Sequence, residues 1–142
     1  MRFVPGQLPV AFNRKFHLSG YMGGHARVLF RSGRSGYHRG DYLKYETVLD
    51  VEFKNVAALA IAENYFPLEI SLASPDEIAA FQNLLNCPIG DRNLYTLRGD
   101  DSVGYVLASA VYWFDDPVAT TEDASVFVDD LGRGAAVEVW RA

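Results

Sequence analysis

The segment 45–54, YETVLDVEFK, constrains the fold more than any other part of the chain. Neutral and apolar side chains alternate there with mostly charged ones. A period of two residues predicts a β-strand with one face against the core. The predicted core face carries Tyr45, Thr47, Leu49, Val51 and Phe53, and the other face carries Glu46, Val48, Asp50, Glu52 and Lys54.

An earlier segment, 25–31 (HARVLFR), alternates in the same way, with apolar residues on one face and mostly basic residues on the other. If the two strands pair antiparallel, the basic face lies beside the acidic one. Opposite charges placed across strands contribute roughly 0.2–1 kcal/mol a pair. We therefore predict that the strands are neighbours and that Arg27 and Arg31 pair with acids of 45–54 on the outer, solvated face of the sheet.

Charge is distributed unevenly along the chain. Residues 1–44 hold eight Lys and Arg against one acid, whereas residues 45–142 hold five against seventeen, and the whole chain has a net charge of −5. Asymmetry of this size is typical of a basic binding arm. It is equally expected if the two parts of the chain pair with each other in the fold.

One helix is predicted over about 75–86, and its start signals lie in SPDEIAAFQNLL, residues 74–85. Ser74 is placed to cap it, Pro75 suits its first position, and Glu77 completes a capping box. Asn86 and Pro88 are expected to end it. Its predicted apolar stripe consists of Ile78, Phe81, Leu84 and Leu85.

The rest of the chain favours strands. Residues 103–114 predict a central strand bent near Ala108–Ala110, with a buried helix as the alternative. The other predicted strands are a buried one at 56–62, then 67–72 with Leu68, Ile70 and Leu72 inward, 93–98, and a closing hairpin of 124–128 and 135–140. We therefore expect a single globular α+β domain over 1–142. Its sheet is mostly antiparallel, either curved or an open sandwich, with seven to nine strands and one main helix.

The sequence shows no catalytic motif. Cys87 follows a predicted helix, whose negative end disfavours a thiolate. The three histidines, His17, His25 and His38, lack the spacing of a metal-binding turn, and no nucleotide-binding or hydrolase motif occurs. We therefore predict a protein that is not an enzyme and has no metal and no cofactor.

Two features bear on the compartment. The lone cysteine cannot form an internal disulfide, which favours a reducing environment. The chain also lacks a run of about 18 apolar residues and the apolar core of a signal peptide. We expect a cytoplasmic protein with no membrane partner.

The basic segment 31–42, RSGRSGYHRGDY, admits two hypotheses. It lies between two predicted strands, so it is expected to be a long hairpin loop. Alternatively, Arg34, His38 and Arg39 could bind an anion or, with tyrosine stacking, a nucleic acid. Nucleic acid is the less favoured partner because the chain is acidic, with a pI near 5.1.

Four acidic doublets lie in predicted loops of the C-terminal part, without the spacing of an EF-hand calcium site. If the loops gather at one end, they form an acidic rim suited to a basic protein. Trp140 or Tyr112 could serve as an exposed aromatic anchor. The predicted interface is Asp100, Asp101, Asp115, Asp116, Glu122, Asp123, Asp129 and Asp130.

Residues 48–72, VLDVEFKNVAALAIAENYFPLEISL, resemble immunity proteins of bacterial polymorphic-toxin systems. The resemblance lies in Phe53, Val56, Leu59, Leu68 and Ile70. It implies a small, acidic, cytoplasmic protein that binds and neutralises a cognate toxin, often a basic nuclease. A monomer or a homodimer fits this hypothesis. A domain that binds an anion or nucleic acid through 31–42, possibly an enzyme, is the alternative, and a subunit of a larger assembly is a third.

Overall fold

The computed structural model describes residues 2–24, 26–117 and 138–142. These residues form fourteen strands and one helix. The elements are β1 (Arg2–Pro5), β2 (Val10–Phe12), β3 (Phe16–Met22), β4 (Arg27–Ser32), β5 (Ser35–His38), β6 (Asp41–Lys44), β7 (Val48–Lys54), β8 (Ala58–Ala60), β9 (Asn64–Tyr65), β10 (Leu68–Leu72), α1 (Pro75–Leu85), β11 (Asn93–Arg98), β12 (Val103–Ala108), β13 (Ala110–Asp116) and β14 (Glu138–Arg141).

The strands form two large sheets and one separate hairpin. Sheet A has the order β1-β14-β13-β7-β4-β3-β9, sheet B has the order β2-β10-β11-β12-β8, and β5 pairs with β6. Only the β1–β14 pair is parallel among the strand pairs of the described residues. The predicted α+β fold, a mostly antiparallel open sandwich with one helix, is confirmed. The strand number exceeds the seven to nine expected, because several strands have only two to four residues.

The core lies between the two sheets. Phe53 on β7 is fully buried, and its ring centroid lies 6.4 Å from that of Phe30 on β4 and 5.4 Å from that of Tyr95 on β11. The Phe53 side chain thus packs against a neighbouring strand of its own sheet and against a strand of the opposite sheet. Leu49 and Val51 are buried on the same face, so the predicted core face is confirmed for 48–54. Tyr45 and Thr47, which were also predicted on that face, precede the strand and are half-buried.

The segment 103–114 does not form one strand. It divides at Ser109 into β12, which belongs to sheet B, and β13, which belongs to sheet A. The bend at Ala108–Ala110 is therefore confirmed, and the helix alternative is wrong. Residues apolar on both faces are needed here because the segment crosses from one layer of the sandwich to the other.

The helix has the predicted boundaries within one residue, and its capping box is confirmed. The Glu77 backbone N–H donates to Ser74 Oγ at 3.2 Å, and the Ser74 N–H donates to Glu77 Oε1 at 3.1 Å. Glu77 Oε2 also accepts hydrogen bonds from the side chains of Thr96, Arg98 and Tyr105. One carboxylate thus caps the helix and fixes it to sheet B.

The predicted apolar stripe of the helix is only partly right. Phe81 is buried against Leu94 and Leu107 of sheet B. Leu84 is 76% exposed and Leu85 is also exposed, so the prediction that they face the core is wrong. The helix contacts the sheet through a narrower face than its sequence pattern indicates.

Two other predictions are changed by the structure, and a third falls on residues that it does not describe. The segment 56–62 forms only the short β8 at the edge of sheet B, and it is half-buried because one of its sides lacks a neighbouring strand. Leu72 ends β10 and is exposed instead of inward. The predicted hairpin strand 124–128 lies outside the described residues. Its predicted partner, 135–140, overlaps with the observed β14.

The predicted pairing of β4 with β7 is confirmed, including its charges. Arg31 lies opposite Asp50, with Nε–Oδ1 and Nη2–Oδ2 distances of 2.7 and 2.9 Å. Arg27 Nε lies 3.5 Å from Glu52 Oε1. The expectation of a solvated face is wrong, because Arg31 and Asp50 are only 6% and 3% exposed.

Glu52 is the most deeply buried of these acids, at 1% exposure. Burial raises its pKa from an ordinary 4.5 to about 6, although the nearby Lys54 and Arg27 act in the opposite direction. Because the folded-state pKa is the higher one, the folded protein binds more protons than the unfolded chain between these two values. The contribution of Glu52 to stability is therefore greatest at low pH and is lost as the pH rises through about 6.

We predict that wild type gains stability relative to Glu52→Gln, on the order of 1–2 kcal/mol, when the pH falls from about 7.5 to about 4.5. Urea unfolding of both proteins at each pH measures the difference. The variant keeps every other titratable group, so the comparison isolates Glu52. A difference between the two proteins that stays constant with pH would contradict the prediction.

Candidate protein interface at the β5–β6 hairpin

The basic segment 31–42 contains a hairpin of its own. Tyr37 pairs with Tyr42 and His38 with Asp41. Arg39 and Gly40 form the turn, with φ angles of +50° and +85°. Positive φ at both central residues matches the twist of the flanking strands in a two-residue hairpin turn. The hairpin hypothesis is therefore confirmed, but as two short strands instead of a long loop.

Three side chains attach this hairpin to the sandwich. Arg39 forms an ion pair with Asp101, and Arg34 Nη2 donates to the Pro117 carbonyl at 2.6 Å. The ring of His38 stacks on Phe66, with centroids 4.7 Å apart and planes within 9°. Arg34, His38 and Arg39, the predicted anion-binding residues, thus contact separate parts of the body.

The base of the hairpin is fixed by the segment before β3. The Arg14 guanidinium lies 4.3 Å from the Tyr45 ring centroid, and Nη1 donates to Thr47 Oγ1 at 2.7 Å. Lys15 Nζ donates to the Tyr37 carbonyl at 2.5 Å. Together with the contacts near the turn, these interactions hold the hairpin at both ends.

The hairpin presents two tyrosine rings to solvent. Tyr37 and Tyr42 are 66% and 59% exposed, and their ring centroids lie 5.3 Å apart in an edge-to-face arrangement. From the sequence, the two tyrosines were expected only to stack on nucleic-acid bases. The Arg39-Gly40 dipeptide suits a two-residue hairpin turn, and such a turn places Tyr37 and Tyr42 opposite each other on the paired strands.

A cavity of about 260 Å³ lies between the hairpin and β3. Partial burial, assisted by Arg31 and Lys15 and opposed by Asp50, lowers the pKa of His17 at its wall. A second cavity of about 110 Å³ shares Lys15 and Asn64 with the first. The larger cavity is lined by Lys15, His17, Gly33, Ser35, Gly36, Tyr37, Leu43, Tyr45 and Asn64.

The structure places the predicted acids in different environments. Asp100 and Asp101 are exposed in the turn between β11 and β12, and Asp115 is exposed with a carboxylate oxygen 3.9 Å from Arg14. Asp116 is buried. Asp115 and Asp116 belong to β13, so their prediction as loop residues is wrong. Glu122, Asp123, Asp129 and Asp130 lie outside the described residues.

The hairpin brings two of the acidic doublets to one end of the sandwich. Its turn contacts Asp101 through Arg39, and its base contacts the residue after β13 through Arg34 and Pro117. Asp101 and Asp115 therefore flank the same short hairpin. We call the group Tyr37, Tyr42, Asp100, Asp101 and Asp115 the hairpin surface.

The two predicted aromatic anchors lie on sheet A. Trp140 is exposed on β14. Tyr112 is half-buried, with its ring 5.4 Å from that of Phe3 and 4.6 Å from Lys54 Nζ. The expectation that Tyr112 is exposed is therefore wrong.

The basic and acidic parts of the chain form ion pairs with each other within the fold. Ion pairs among the described residues join the basic N-terminal part to the acidic remainder, which confirms the internal-pairing interpretation. Those in sheet A involve the buried acids Asp50 and Glu52, and others lie at the hairpin surface. They include Arg14–Asp115, Arg27–Glu52, Arg31–Asp50 and Arg39–Asp101.

The described residues contain neither a metal-binding cluster nor a membrane-spanning helix. Across 2–24, 26–117 and 138–142, no group of three or more His, Cys, Asp or Glu side chains is arranged to hold a metal ion. In that part of the chain, no helix has both the length and the apolar character needed to span a membrane. Cys87 is half-buried, with Sγ 3.7 Å from the Pro88 carbonyl oxygen.

Comparison with known proteins gives no match: no family model, no curated protein and no solved structure matches this chain. The resemblance of residues 48–72 to immunity proteins therefore stays a prediction. Phe53, Val56, Leu68 and Ile70, four of the residues that carry it, are buried core residues.

We predict that the double variant Arg34→Ala/Arg39→Ala loosens the hairpin without unfolding the sandwich, because each side chain ties one end of the hairpin to the body. Amide hydrogen exchange within 33–45 should accelerate at least tenfold while the melting temperature changes little. Arg92→Ala is the matched control, since Arg92 binds Asn55 in another loop. Unchanged exchange in the double variant would show that these contacts do not hold the hairpin.

Proposed function

We propose that this chain is a non-enzymatic protein-binding module that recognises a basic partner through the hairpin surface. In its most specific form it is a cytoplasmic immunity protein that binds and neutralises a cognate bacterial toxin. The proposal combines the exposed acids Asp100, Asp101 and Asp115 with the two exposed tyrosines of the hairpin.

The exposed Tyr37–Tyr42 pair carries the proposal. Large aromatic side chains on a surface expose apolar area, and tyrosine is enriched among the residues that dominate binding energy at protein interfaces. A tyrosine side chain loses little conformational freedom on binding because it has only two rotatable torsions. The contacts of Arg34, Arg39 and Lys15 already hold the hairpin beneath the rings, so a partner meets a preorganised surface.

Charge supports a basic partner. Asp100, Asp101 and Asp115 lie at the sides of the hairpin, and the whole chain has a net charge of −5. Two of these carboxylates also face the chain's own arginines, which lowers the local negative potential. Acidic groups at the rim of an interface act mainly by accelerating association and selecting the partner. The tyrosines therefore supply affinity, and the acids supply rate and specificity.

A second candidate function is the binding of a small anion. It is favoured by the 260 Å³ cavity, whose wall includes Lys15, Asn64 and two tyrosines. Lys15 lines this cavity, whereas Arg34, His38 and Arg39 are not among its lining residues, so Lys15 is the cation best placed for this function. Phosphate-dependent thermal stabilisation that disappears in Lys15→Ala would favour it.

We predict that Tyr37→Ser/Tyr42→Ser weakens binding of the partner at least tenfold, mainly through faster dissociation. The partner is first captured from the native cell on immobilised wild type at low and at moderate salt and identified by mass spectrometry. Its kinetics are then measured with each variant. Tyr21→Ser is the matched control, because Tyr21 is also exposed but lies on β3 at the other end of β4.

The acids have a separate expected effect. Asp100→Asn/Asp101→Asn should slow association several-fold and reduce its dependence on salt, with a smaller effect on dissociation. Unchanged kinetics in both double variants would refute this interface. Copurification of nucleic acid or a small anion in place of a protein would support the second candidate.

A further inference from the structure

A separate cavity of about 200 Å³ lies on the outer face of sheet A, at the end of β3 and β4 remote from the hairpin. At about 30 Å³ for each water in the liquid, it has room for about six water-sized groups. Its lining residues are Ser19, Gly20, Met22, Arg27, Leu29 and Glu52.

The cavity exists because of an irregularity in β3. The pairing of β3 with β4 shifts between Leu18 and Gly20, so that Gly20 lies opposite Leu29. No heavy atom lies within 4 Å of the position that a Cβ would take at Gly20. The missing side chain at this residue therefore leaves the space open.

Glu52 continues the same cross-strand row, opposite Leu29 on the next strand. Its side chain is 1% exposed, and its Oε1 atom lies 3.5 Å from Arg27 Nε. The Oε2 atom is buried and has no hydrogen-bond partner among the residues that the structure describes. Buried polar atoms in native proteins normally have one, and an ionised carboxylate can only accept. A buried side chain with an unused acceptor thus borders an open cavity.

The surroundings of this acceptor define what would fit. The charge of Glu52 is incompletely compensated, since burial raises its pKa to about 6 in spite of Lys54 and Arg27. A positively charged N–H donor would complete the compensation. Met22 and Leu29 give the cavity apolar walls, which suit a short hydrocarbon stem.

We infer that this cavity binds a primary alkylammonium group, which donates a hydrogen bond to Glu52 Oε2 and packs its carbon stem against Met22 and Leu29. A free aliphatic amine and the lysine side chain of a peptide share this chemistry. The site lies away from the hairpin surface and does not depend on the function proposed there.

The test is a titration of the full chain with n-butylammonium chloride, followed by protein NMR at constant ionic strength. Wild type should show saturable shifts at the residues that line the cavity. Gly20→Val fills the open space without altering the carboxylate and should weaken binding at least tenfold. Glu52→Gln removes the charge and should weaken binding to a similar extent.

Gly36→Val is the matched control, because Gly36 also has no heavy atom within 4 Å of its Cβ position but lies on β5. It should bind butylammonium as wild type does. If Glu52→Gln does not fold, the comparison of the two glycine variants decides, since both retain Glu52. Absence of saturable shifts in wild type, or equal affinity for wild type and Gly20→Val, would overturn the inference.

A second probe distinguishes the two sources of the ammonium group. Nα-acetyl-lysine-N-methylamide presents a lysine side chain without a free α-amine. Binding at least as tight as that of butylammonium would assign the site to a lysine side chain, and binding of butylammonium alone would assign it to a free amine. Either result supports the site, provided that Gly20→Val weakens it.

Discussion

The buried ion pair between Arg31 and Asp50 is the interaction on which the rest of sheet A depends. It lies at the β4–β7 pairing in the middle of the sheet, with two hydrogen bonds between the side chains. Shifting either strand by one residue would turn its charged side chains into the sandwich core, because successive side chains point to opposite faces. A buried charge without its partner is strongly destabilising, so the pair fixes the register more firmly than apolar packing alone.

The candidate interface follows from this register. β4 ends at Ser32, directly before the hairpin, and Arg14 binds both Ser32 and Thr47 on the two sides of it. The hairpin therefore leaves the sandwich at a defined place and returns at a defined place. Arg39 then fastens it to Asp101 in the acidic turn after β11, and Arg34 fastens it to Pro117, directly after β13. Arg14, Lys15, Arg34 and Arg39, four of the eight basic residues of 1–44, are used in such contacts. The same end exposes the tyrosines and carboxylates together with Arg39 and Lys44.

The elements that the sequence predicts well are those in which a regular alternation of side chains extends over many residues. β4 and β7 alternate over six and seven residues, and their complementary charges also predict their pairing. The capping box identifies the start of the helix because the backbone groups at a helix terminus need specific partners. β1, β2 and β9 have only two to four residues, too few to show a period above chance.

Burial was harder to predict than secondary structure. The alternation of 45–54 shows which residues share a face but not what covers that face, so the buried state of Asp50 and Glu52 was missed. The burial of Leu84 was wrongly predicted for the same reason, because helical spacing does not show how wide a face of the helix packs against the sheet. At the hairpin, the sequence indicated the turn, but the partners of Arg34 and Arg39 come from distant segments that no local pattern identifies.

A double-mutant cycle tests most directly whether sheet A depends on the Arg31–Asp50 pair. It compares wild type, Arg31→Met, Asp50→Leu and the combined variant by urea unfolding. Each single substitution removes one charge of the buried pair and should cost about 3–5 kcal/mol. The combined variant removes both charges and should be more stable than either single variant. Losses that simply add would show that the two charges are not coupled and would contradict the central place of this pair in the fold.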